Sequence, residues 1–194
     1  MNQATKSAED AVSHARILVA GVGNIFLGDD GFGVETVRRL SRRAALRNGV
    51  RVIDFGIRGV DLAYTLLDGE DEVTILVDAS PRGGPPGTLY VIEPALDGEP
   101  APEGHSVINP HGMDPMNVLR MVKSMGGQLK RILVVGCEPL TLGSGDGVMG
   151  LSQPVAAAVE QAVSLIESLV TKFQKEELAA AASAGSVKRP TPTC

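Results

Sequence analysis

The sequence predicts a doubly wound α/β fold: a mostly parallel five-stranded sheet with one antiparallel strand and helices on both faces. Three observations point there. Four short β-branched runs, "RILVAG", "VRVIDFG", "EVTILVDA" and "RILVVGC", are continuously apolar, as strands covered on both faces are. Stretches with helical periodicity separate them. A fifth apolar run, "GTLYVIE", follows the third after a loop too short for a parallel return.

Taken in order, "RILVAG" opens the sheet at residue 16, and "GVETVRRLSRRAAL" forms the helix leading to "VRVIDFG" at 50–56. "VDLAYTLLDG" then connects to "EVTILVDA" at 72–79. "GTLYVIE", residues 87–93, is preceded only by the loop "SPRGGPPG". A parallel crossover takes about a dozen residues, so this strand is expected to run antiparallel to its neighbour. "DPMNVLRMVKSMGG" sets Val118, Met121, Val122 and Met125 on one helical stripe before the strand at 131–137. A last helix is expected from about 152 to 177, with Pro154 in its first turn. "PALDGEPAPEGHSVINPHG" is a long loop, and loops of that length in a small domain are often functional. The expected organisation is a flexible arm over 1–15, a single domain over 16–177, and a disordered low-complexity tail over 178–194.

With 194 residues and 43% apolar content, the chain suits one domain with a full core. The net charge of -5, with no dense Lys and Arg face, excludes a phosphate-neutralising surface, so no nucleic-acid partner is expected. Arg38, Arg39, Arg42 and Arg43 make one basic helical cluster, read as a solvated face, with a docking face for an acidic partner as the alternative. Cys137 and Cys194 have neither disulfide-framework nor metal-ligand spacing. The N-terminus lacks an apolar signal region, and no run reaches the roughly 18 apolar residues of a spanning helix. A cytoplasmic protein without membrane insertion is the expectation.

In an open α/β sheet, ligands bind beyond the carboxyl ends of the strands. Asp29 and Asp30 follow the first strand in "GVGNIFLGDDGFG", Asp54 ends the second, and Asp78 ends the third. Two carboxylates about 5 Å apart repel by about 3 kcal/mol at an effective dielectric near 20, which calls for a proton or a cation between them. His111, in "NPHGMDP" at a helix entry, adds an imidazole. Two carboxylates and one imidazole suit a borderline divalent ion such as nickel, zinc or manganese and leave coordination positions open. Each residue has a plainer reading: Asp29 as a helix N-cap, Asp54 and Asp78 as turn caps, His111 as a turn histidine. Other chemistries fit less well. "GVGNIF" places Phe26 where a dinucleotide fingerprint has its third glycine, and the chain has no Walker lysine or GxSxG elbow. Cys137 ends a buried strand and reads as a structural thiol.

In order and spacing, "GVGNIFLGDDGFGV", "DFGIRGVDL", "ILVDAS" and "NPHGMDP" resemble the hydrogenase maturation endopeptidases over about residues 16–170. The resemblance implies an endopeptidase that removes a C-terminal peptide from the nickel-loaded precursor of a nickel-iron hydrogenase large subunit. It also implies that Asp30, Asp78 and His111 are the metal-binding and catalytic residues. The nickel would be carried by the substrate, with no tightly bound cofactor. Asp54 and Gly56, in the glycine-containing segment after the second strand, would recognise substrate. Asp29 then falls to the capping role, and Asp29→Asn is expected to be tolerated. The rival readings are a non-catalytic nickel or assembly chaperone with the same ligands and a nucleotide-binding α/β domain. "EPLTLGSGDGVMGLS", before the last helix, is a candidate for precursor specificity.

Overall fold

Side-chain parity along the strands sorts the chain into two cores. In β1 (Ile17–Val22), Ile17 and Val19 face one way while Leu18, Ala20 and Val22 face the other, all of them fully buried. β3 (Val73–Ala79) sends Val73, Ile75 and Val77 to the first face and Leu76 to the second. β5 (Arg131–Cys137) repeats the division with Leu133, Val135 and Cys137 against Ile132 and Val134. Strands filled on both faces need cover on both, which explains why these runs are apolar throughout.

The computed structural model describes residues 16–43, 49–94, 114–143 and 147–184. Helices α1 (Phe32–Ser41) and α4 (Gln153–Ala184) cover the first face, and α2 (Gly59–Leu67) and α3 (Pro115–Ser124) the second. With β2 (Val50–Gly56) and β4 (Leu89–Ile92), the described strands form one five-stranded sheet of order β2-β1-β3-β5-β4. All neighbours are parallel except β4, which runs antiparallel to β5. The expected antiparallel strand is therefore present, but its partner is β5 and not β3. The 80–88 connection steps across β5, two strand spacings or about 10 Å, and Leu89 meets Cys137 at the edge where β3 ended.

Several boundaries move. α4 continues to Ala184, past the expected end at 177. On α3, Leu119 joins Val118 and Val122 in the core, while Met125 sits at the helix end half exposed. α4 is long and apolar enough over Gln153–Ala180 to cross a membrane, but its apolar side packs Val155, Val159, Val163, Ile166, Val170 and Phe173 into the first core. Arg38, Arg39 and Arg43 of the basic cluster are paired within the protein. Arg38 Nε meets Asp54 Oδ2 at 3.0 Å, Arg39 meets Glu160 at 2.8 Å, and Arg43 reaches Glu167 at 3.1 Å and also Glu160. These half-exposed pairs lace α1 to β2 and α4, each worth on the order of 0–1 kcal/mol. They leave no open cationic face at Arg38, Arg39 and Arg43 for an acidic partner.

The start of α1 presses directly on the sheet at Gly33, where a Cβ would lie 2.0 Å from the Val77 carbonyl oxygen and 2.4 Å from that of Val22. Both obstacles are strand backbone and cannot yield. Gly33→Ala should therefore lower stability by about 1–3 kcal/mol or more, read as a reduced urea midpoint with an unchanged slope.

Candidate active site

The first strand leads into a turn shaped by its own polar groups. Gly23, at φ +119°, brings its Cα against the Asp30 carbonyl, leaving no room for a side chain. Asn24 N–H donates to Asp30 Oδ2 at 2.7 Å, and Phe26 N–H donates to Asn24 Oδ1 at 3.0 Å. A single 3-10 turn, Gly28–Gly31, then carries both aspartates into α1. Phe26 is 56% exposed, so the third glycine position of a dinucleotide fingerprint is occupied by a projecting ring. The two carboxylates at the helix start also repel the phosphate that such a fingerprint serves.

Asp29 is not the cap of this helix. No side chain caps the 3-10 turn or α1, and the Asp29 carboxylate, with no exposed surface, points away into the protein. Its Oδ2 accepts from Leu140 N–H at 2.8 Å, Thr141 N–H at 3.1 Å and Ser152 O–H at 2.9 Å, and its Oδ1 accepts from Ser152 N–H at 2.6 Å. Asp29 N–H donates to the Thr141 carbonyl and Gly28 N–H to that of Val148, beside a parallel bridge between Leu27 and Val148. The segment between β5 and α4 is thus paired with the turn that carries Asp30. The capping expectation failed because the partners lie more than 100 residues away, beyond the reach of any local pattern.

Asp30 lies near enough to Asp78 for its charge to act there. Asp78, near the end of β3, is buried on the Leu76 face, where α3 begins. Burial holds its carboxyl well above the usual range, the charge of Asp30 raises it further, and Asp114 adds to the effect against one backbone hydrogen bond from Ala79. Burial also raises Asp30, opposed by the Asn24 N–H. Two carboxyls whose ionisation burial opposes, one of them also facing the charge of the other, are a fitting donor set for a cation. Asp78 opens on a cleft of about 520 Å³ lined also by Ser80, Arg82, Asp114 and Met116. Asp114 caps α3 by accepting from Met116 N–H at 2.8 Å, with Pro115 at the first helical position. His111 lies outside the described residues, three positions before Asp114. Among the described residues no three metal-ligating side chains meet.

Asp54 and Gly56 belong to a different hollow. Parity puts Asp54 with Val50 and Val52 on the α1 face, opposite to Asp78, and its carboxylate pairs with Arg38. Asp54, Gly56, Asn24, Phe26, Arg38 and Arg58 line this hollow of about 330 Å³. It adjoins the Asp30 turn from the other side.

A buried carboxylate and a half-buried serine that the sequence does not mark as site residues complete the edge. Glu138 accepts from Arg82 N–H at 2.8 Å, Gly83 N–H at 3.0 Å and Tyr90 O–H at 2.8 Å, fixing the loop that walls the Asp78 cleft. Burial draws its carboxyl upward, but these donors and Gly84 N–H outweigh it and leave it below the usual range. Ser152, before α4, is the other. The serine was readable as a helix start, but its partner Asp29 was not. Cys137 is a buried thiol pushed up to about 12 by burial and by the charges of Asp29 and Glu138, which agrees with a structural reading.

A doubly wound sheet with a carboxylate cleft at the carboxyl ends of its strands is the arrangement of an α/β enzyme, and comparison with known proteins specifies which kind. The model of the hydrogenase maturation protease family matches residues 34–169. The chain is 34% identical over 157 residues to the hydrogenase expression/formation protein HupD of Rhizobium leguminosarum bv. viciae, covering 79% of this chain and 75% of that one. Among solved structures it resembles the hydrogenase maturating endopeptidase HybD of E. coli, with 28% identity, a TM-score of 0.65, and coverage of 81% of this chain and 93% of that one. It also resembles the hydrogenase 2 maturation peptidase of Thaumarchaeota archaeon SCGC_AB-539-E09, with 31% identity, a TM-score of 0.59, and coverage of 80% and 98%. The chain belongs to the hydrogenase maturation protease family.

The raised carboxyls predict how stability responds to pH. Both hold their protons more tightly folded than unfolded, so their contribution is most favourable below the ordinary aspartate pKa of about 4 and is lost as pH rises through the higher folded values. Asp78→Asn, which cannot ionise, should raise the Tm at pH 7.5 by about 2–4 °C over wild type. The difference should close as the pH falls below about 4 in paired thermal scans.

Proposed function

We propose that this protein is an endopeptidase that removes a C-terminal peptide from the nickel-loaded precursor of a nickel-iron hydrogenase large subunit, acting in the cytoplasm. The observation that carries the reading is the half-buried Asp30 beside the buried Asp78, where the charge of Asp30 disfavours ionisation of Asp78 at the carboxyl edge of a maturation-protease fold. A divalent ion relieves that repulsion, and an ion already seated in the precursor makes completed metal insertion the condition for engagement. His111 is the third ligand in this reading. Asp114, three residues further on, stands in the Asp78 cleft, and three residues span at most about 10 Å of chain. The nickel is part of the substrate: beside the scissile bond it polarises the carbonyl or lowers the pKa of the attacking water. Asp54 and Gly56, in the neighbouring hollow with the exposed Phe26 and Ile57, take up precursor on the other side of the turn.

Purified protein should therefore cut nickel-loaded precursor and leave nickel-free precursor intact, seen as a mobility shift on a gel. Asp30→Ala, Asp78→Ala and His111→Ala should each reduce cutting by at least about 100-fold, since loss of mere outer-shell support already costs 10–100-fold at metal sites. Circular dichroism should show all three folded. Efficient cutting of nickel-free precursor, or normal cutting by the Asp30 and His111 variants, would sink the proposal.

A further inference from the structure

We infer that Asp29 is a positioning residue: it clamps Leu140, Thr141 and Ser152 to the turn that carries Asp30 and thereby sets where the Asp30 carboxylate stands. The inference rests on the protease reading above but concerns a residue to which that reading gives no part. Asp29 has no exposed surface and accepts four hydrogen bonds, all from Leu140, Thr141 and Ser152. An ionised carboxylate is an acceptor only, so both oxygens are committed. The next residue is Asp30. Its side chain accepts Asn24 N–H at 2.7 Å, and its own N–H donates to the Leu27 carbonyl at 3.3 Å. The flanking backbone is fixed by the same segment, through Gly28 N–H to Val148 O, Asp29 N–H to Thr141 O, and the Leu27–Val148 bridge. Asp29 and Asp30 are consecutive residues of one 3-10 turn, so release of Asp29 shifts the turn that carries Asp30.

Asparagine cannot reproduce the clamp. Its single oxygen can serve either the Leu140 and Thr141 amides or the Ser152 amide, and its NH2 then faces an N–H donor where an acceptor stood. The structure thus reverses the expectation that Asp29→Asn is tolerated. A shift of about 1 Å at a reacting group costs on the order of 100-fold in rate.

The test uses the full chain with nickel-loaded precursor at a temperature where circular dichroism shows every variant folded. Asp29→Asn is expected to lower kcat by about 10–100-fold with KM changed less than about 3-fold. In amide hydrogen exchange, protection should drop at Leu140, Thr141 and Ser152 while the β3 amides stay protected. Ser152→Ala removes only the hydroxyl bond, so it should lower kcat by a few fold, and it carries the test should Asp29→Asn not fold. Unchanged protection at the three amides, lost protection with unchanged kcat, or a rise in KM with kcat preserved would each overturn the inference, as would an unchanged kcat in Ser152→Ala. Wild-type protein that cuts no precursor would instead refute the protease reading beneath it, and the exchange result would still decide whether Asp29 holds the segment.

Discussion

A carboxylate withdrawn from water must find its hydrogen bonds inside the protein, and the carboxyl edge of this sheet is organised around two that do. Asp29 draws in the segment that enters α4, and Glu138 draws in the loop that follows β3. Both bind mainly backbone N–H groups, so what they fix is the course of the chain. Glu138, Leu140 and Thr141 lie on one stretch after β5, and each end of that stretch serves a different buried charge. Three connections that would otherwise be independent loops are thereby joined into one frame. The donors that hold both carboxylates are backbone N–H groups and hydroxyls, so the frame depends on hydrogen-bond geometry.

Set within that frame, Asp30 and Asp78 are supplied differently. Among the described residues each has one backbone donor, burial opposes ionisation of both, and Asp78 also faces the charge of Asp30. Within a few residues the chain both satisfies a carboxylate fully and leaves another short of partners. The contrast separates roles: a group with all its acceptor sites filled holds structure, while a group with sites to spare is available to a ligand. Gly23 and Gly33 bring the two under-supplied carboxyls near each other, because both remove a Cβ from the path of backbone that must pass close.

The sheet was readable because its strands are filled on both faces and therefore run apolar without interruption; β2 and β5 fall on the expected residues. The antiparallel strand was readable from loop length alone, but not its partner, since a short connection says nothing of which strand it skips. Asp30 and Asp78 are legible as candidates because strand ends gather on one edge in this class of sheet. That rule locates an edge and not a face, and Asp54 lies beyond its reach: parity turns it toward α1 and Arg38. The capping pattern at Asp29 misleads for a deeper reason. A capping pattern is local, whereas the donors to Asp29 lie 111 to 123 residues along the chain, and no spacing rule spans that distance.

The placement of β4 has a consequence for how the chain comes into being. β1 pairs with both β2 and β3, so each of the three finds a partner soon after it is made. β4 finds none among them: its partner β5 starts at Arg131, while β4 ends at Ile92. During synthesis at about 5–20 residues per second, β4 therefore waits about 2–8 seconds with its ladder unmade. Unpaired strand edges are where growing chains capture one another. β4 is only four residues long, the shortest strand in the sheet, and that brevity limits what a neighbouring nascent chain can grip.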